Sequence, residues 1–72
     1  MKHAEKVGYR ERLGEILRLP PSKLRNQRLT SFMVDLTLAY AIPSSAEERQ
    51  EFELDRPDVM LFYRTAEEAM TF

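Results

Sequence analysis

Large apolar residues recur along this chain at helical spacing, and prolines punctuate them into four segments. In the first, from Ala4 to Leu19, Tyr9, Leu13, Ile16 and Leu17 fall at i, i+4, i+7 and i+8, which is one face of a helix. Gly8 and Gly14 each weaken a helix by up to about 1 kcal/mol relative to Ala. Ordered helix is therefore expected from near Tyr9, with residues 1–7 frayed. Pro20-Pro21 ends the segment, because a residue preceding proline is pushed out of the α region.

The second segment follows Ser22, an expected N-cap. Leu29, Phe32, Met33, Leu36 and Tyr40 lie at i, i+3, i+4, i+7 and i+11, a continuous apolar stripe. A second stripe of Val34, Leu38, Ala41 and Ile42 runs beside it, and between Phe32 and Ile42 only Asp35 and Thr37 are polar. A helix apolar on nearly every side has to be covered on more than one. The segment is expected to be either the central helix of the fold or the seam of an oligomer. Pro43 stops it.

Ser45-Ala46-Glu47-Glu48 then matches the S-x-x-E capping box. Phe52 and Leu54 are the large apolar residues of this third segment, so a brief exposed helix is expected. The fourth opens at Asp55-Arg56-Pro57-Asp58, where proline suits a first helical turn and the carboxylates suit its positive end. Val59, Phe62, Tyr63, Ala66 and Met70 repeat the offsets of segment two. The run Val59-Met60-Leu61-Phe62-Tyr63 passes round more than one helix face, which is expected to leave Met60 and Leu61 off the core stripe, either buried under segment one or three or forming a partner-binding ridge. Strand-type alternation is rare. The pattern predicts an all-α fold, a small bundle of three main helices plus one short acidic helix, in a single domain over residues 1–72.

Composition narrows the classes further. The 72 residues contain no Cys and no Trp, so no disulfide framework supports the fold. Below about 70–80 residues a single core rarely supplies more than ~3–5 kcal/mol. Structural zinc has only His3 to draw on as a soft ligand, which leaves oligomerisation or unusually good packing. No apolar run approaches the roughly 18 residues of a membrane helix, and no secretory pattern follows Met1. A cytoplasmic protein without membrane contact is expected.

Signals for catalysis are few. Ser44 and Ser45 have no base to activate them, because His3 sits near a terminus and a nucleophile needs its base within hydrogen-bond reach. The glycines form no phosphate-binding loop. Glu47, Glu51 and Asp55 share a helix face that could hold a hard cation loosely, but a solvated acidic face accounts for them as well. Asp35 joins Arg28 and Ser31 in a narrow polar strip expected to face water. No enzyme, no cofactor and no metal are therefore expected.

Charge is segregated. Residues 1–30 carry +5 and residues 31–72 carry -6, for a whole-chain net of -1. Arg18, Lys23, Arg25 and Arg28 surround the Pro20-Pro21 corner and could meet phosphates or an acidic partner. The near-neutral whole argues against a nucleic-acid module, which is ordinarily basic overall. The expected function is a small non-catalytic protein-interaction module, a regulator, inhibitor or adaptor. It would self-associate as a homodimer through apolar helix faces, with Val34, Leu38, Met60 and Leu61 as contacts. The alternative is a nucleic-acid-binding accessory protein using the basic N-terminal half.

Overall fold

The computed structural model describes residues 1–70, which form four α-helices and, among those residues, no strand. Helix α1 spans His3–Arg18, α2 Lys23–Tyr40, α3 Ala46–Asp55 and α4 Pro57–Ala69. The boundaries follow local chemistry. The Ser22 hydroxyl accepts the Arg25 N–H at 3.2 Å, and the Ser45 hydroxyl accepts the Glu48 N–H at 3.2 Å. Each satisfies one of the orphan donors of a helix start. Pro57 occupies the first turn of α4.

Helix α1 begins at His3, six residues before the start expected near Tyr9. Its first turns are tied to the rest of the chain. The Asp58 carboxylate lies 3.3 Å from the Met1 ammonium and 3.9 Å from Lys6 Nζ. Tyr40, in the last turn of α2, donates a hydrogen bond to Glu5. Tertiary contacts of this kind routinely override the weak propensity penalty of a glycine.

Helix α2 ends differently. Ala41 adopts a left-handed conformation, φ 54° and ψ 49°, and its N–H bonds to the Thr37 carbonyl. That position ordinarily belongs to glycine, because a Cβ there crowds the following carbonyl. Ala41→Gly is therefore expected to stabilise the fold by about 1 kcal/mol, raising the thermal midpoint by several degrees. An unchanged or lower midpoint in a thermal melt would contradict this account of the turn.

The core gathers Leu13 and Ile16 of α1, Leu29, Phe32 and Leu36 of α2, Ile42, and Val59, Met60, Tyr63 and Ala66 of α4. Phe32 is its centre. Tyr9 meets it edge-on at 5.9 Å between ring centroids and Phe62 at 6.4 Å. The Arg12 guanidinium lies 5.5 Å above its ring. Helix α4 touches all three other helices, α2 touches α1 and α4, and α3 touches α4 alone.

That arrangement corrects two expectations. By apolarity α2 is the natural centre, yet α4 is the helix that touches all three others. Met60 is accordingly only 2% exposed and belongs to the core. A helix packed by three neighbours buries an arc wider than one i, i+3, i+4 stripe. The whole measures 33 × 27 × 16 Å. Its short axis has room for two packed helix layers and is too thin to enclose α2 on both sides.

Candidate protein-interaction surface

The uncovered side of α2 forms one wall of an open groove of about 330 Å³. Thr30, Met33, Val34, Thr37 and Leu38 of α2 line it, with Tyr63 and Met70 across from them. Leu38 is 78% exposed and Val34 49% exposed. Thr37 adds little polarity, because its hydroxyl donates to the Met33 carbonyl at 2.9 Å within the same helix. The groove is thus an apolar strip one helical row away from the core row of Leu29, Phe32 and Leu36. An exposed apolar surface of this continuity commonly marks an interface.

The four apolar contacts anticipated from the sequence do not form one surface. Val34 and Leu38 share the groove. Met60 is buried and is unavailable to a partner. Leu61 is 67% exposed on α4 but does not line this groove.

A second groove, about 570 Å³, lies between α1 and α2. Ile16, Leu19 and Leu24 give it apolar lining, and Arg12, Glu15, Arg28 and Ser31 complete it. Arg12 pairs with Asp35 at 2.7 Å, so the lone charge in the apolar stretch of α2 is a partner in a surface ion pair. The four basic residues around the Pro20-Pro21 corner also separate. Arg18, Lys23 and Arg28 are exposed. Arg25 is half-buried, with Nη2 3.5 Å from the Ala69 carbonyl oxygen. A guanidinium there complements the negative C-terminal end of α4. Arg25 is therefore engaged inside the fold rather than presented with the other three.

The most perturbed titrating pair is structural. The hydrogen bond from Tyr40 holds the Glu5 carboxyl below its ordinary value. Burial first, and the Glu5 carboxylate second, push the Tyr40 phenol well above its ordinary value. Burial pushes Asp58 up, but the Val59 N–H and the N-terminal ammonium outweigh it and hold this carboxyl low. The signs follow from linkage. The Glu5 contribution is present above its ordinary value of 4.5 and is lost as pH falls through the lower folded value. The Tyr40 contribution is present below its ordinary value of 10.0 and is lost as pH rises above that. Thermal melts across pH should show a plateau with losses on both sides. Tyr40→Phe should flatten the alkaline loss, while Asp58 preserves part of the acid one. An alkaline limb unaltered by Tyr40→Phe would assign it to other groups.

The remaining candidates stand apart. His3 is exposed in the first turn of α1, far along the chain from the exposed Ser44 and Ser45. Glu47, Glu51 and Asp55 are exposed on α3, and no group of three His, Cys, Asp or Glu among the described residues could hold a metal ion. Among the described residues, no helix is long and apolar enough to cross a membrane. No family model, curated protein or solved structure matches this chain.

Proposed function

We propose that this chain is a small non-catalytic protein-interaction module, of the regulator, inhibitor or adaptor kind, that self-associates as a homodimer. In this reading α1, α2 and α4 are the three main helices and α3 is a short acidic addition. The observation that carries the reading is the bare apolar strip of Val34 and Leu38 on α2.

The physical argument is one of unmatched burial. Helix α2 carries one apolar stripe that α1 and α4 cover and part of a second beside it, whose Ile42 lies past the helix end in the core while Val34 and Leu38 stay exposed. Burying an exposed leucine side chain contributes about 1.5–3 kcal/mol. For a 72-residue chain that is comparable with a large part of the total stability. Two copies meeting along a two-fold axis would each supply this strip to the other, and two-fold dimers are the commonest closed oligomer. Exposed ion pairs contribute only about 0–1 kcal/mol each, so apolar burial must dominate.

Sedimentation at low micromolar concentration tests the reading. At physiological salt wild type is expected to run as a dimer and Leu38→Glu as a monomer, with added salt having a smaller effect than the substitution. A single wild-type species near 8.5 kDa would defeat it. Sub-micromolar binding of DNA or RNA at physiological salt would instead favour a nucleic-acid role resting on Arg18, Lys23 and Arg28.

A further inference from the structure

The groove between α1 and α2 has chemistry unlike the Leu38 strip. Its apolar lining of Ile16, Leu19 and Leu24 is bordered by Arg28, by Glu15, and by Arg12, whose charge is paired with Asp35. Arg28 makes no ion pair with any described residue. Arg18 and Lys23, each next in sequence to a lining residue, add exposed positive charge at the Pro20-Pro21 end. The site is suited to a helix that offers one large apolar side chain flanked by carboxylates.

One helix of this chain has that character. Helix α3 touches only α4, so its outer side is bare. Leu54 is 84% exposed there, the highest value among the large apolar residues of the described chain. Glu47 and Glu51 precede it by seven and three positions, which places all three on one helical face. Asp55 follows beside them. All three acids are exposed and none forms an ion pair with a described residue. The chain thus presents two surfaces, each with an apolar element at its centre: a groove where Arg18, Lys23 and Arg28 outweigh Glu15, and an α3 face carrying Glu47, Glu51 and Asp55.

We propose that the α1–α2 groove receives helix α3 of a second copy of this chain, with Leu54 entering between Leu19 and Leu24 and the α3 carboxylates facing Arg28. The proposal rests on the self-association reading but uses a different surface from the Leu38 strip. The two contacts differ in kind. The strip pairs with itself and closes. The groove and α3 are unlike surfaces, so their contact is heterologous and generates rings or open chains. The α3 contact also depends on opposed charges, which salt screens, whereas the Leu38 contact is apolar.

The test uses full-length chains carrying Leu38→Glu, which removes the first contact and leaves the second. At low salt this protein is expected to sediment as assemblies whose size grows with concentration and shrinks as salt is added. Adding Leu54→Ser or Arg28→Glu should weaken this association by about tenfold to a hundredfold. Both residues are exposed, so far-UV circular dichroism should show the helix content unchanged. The decisive result comes from mixing. Leu54→Ser keeps an intact groove and Arg28→Glu keeps an intact α3, so an equal mixture should recover one contact and stop at a heterodimer. If the Leu38→Glu protein stays monomeric at every concentration while wild type dimerises, the groove proposal fails and the self-association reading survives. A monomeric wild type ends both. Association indifferent to Leu54→Ser and Arg28→Glu also overturns the groove proposal.

Discussion

Phe32→Ala is expected to leave the chain largely unfolded at room temperature. The side chain is fully buried and is the point where three helices meet, with Tyr9 of α1 and Phe62 of α4 against its ring. Truncating a buried phenylalanine costs about 3–5 kcal/mol. A core of this size supplies on the order of 3–5 kcal/mol in total. The two quantities are equal within their spread, so no margin remains. Arg12 would also lose the aromatic face beneath it. Far-UV circular dichroism should show loss of helix rather than a shifted cooperative melt. Self-association makes apparent stability depend on protein concentration, so wild type and variant should be compared at one concentration. A variant that still melts cooperatively within a few degrees of wild type would mean that Phe32 is not the centre of the core.

The second large effect concerns two neighbouring residues with opposite surroundings. Met60→Asp should unfold the protein, because it places an unpaired carboxylate where the side chain is 2% exposed. Leu61→Asp should change stability by no more than about 0.5 kcal/mol, since Leu61 is 67% exposed. Chemical denaturation of the two single variants decides this. An effect as small at Met60 as at Leu61 would restore the simple stripe pattern, in which both point away from the core.

Most of the fold was legible in the sequence because its signals are local. Prolines at 20, 21, 43 and 57, serine caps at 22 and 45, and two repeats of the same apolar offsets mark four helices near their observed ends. Signals that depend on neighbours were not legible. Periodicity identifies the row of α4 that faces one partner, but Met60 is buried because α4 has three. Propensity marks Gly8 as weak, but Asp58 and Tyr40, far along the chain, hold the first turns of α1. Charge places Arg25 with Arg18, Lys23 and Arg28, yet its position on α2 directs it to the end of α4. The candidate surface was half legible. Val34 and Leu38 belong to a stripe that the sequence contains in excess of what the other helices cover. The exposure of Leu54 had no distinguishing signal, since a lone leucine in an acidic helix reads equally as a core anchor.

Helix α3 has a slender attachment. Arg49 supplies much of it, donating to the Pro43 carbonyl at 2.8 Å and the Tyr63 hydroxyl at 3.2 Å while lying 5.1 Å over the Tyr63 ring. Glu53 accepts from Arg64, and Phe52 packs at the edge of the core. An element held by one neighbour opens at lower free energy than the global transition. Its amides should therefore exchange with solvent through a local excursion that leaves α1, α2 and α4 closed, and a protease should find its first cleavage point between residues 43 and 56. Any contact that clamps α3 from outside removes that excursion. Amide exchange in α3 would then slow as protein concentration rises, making the rate of a local opening a reporter of assembly.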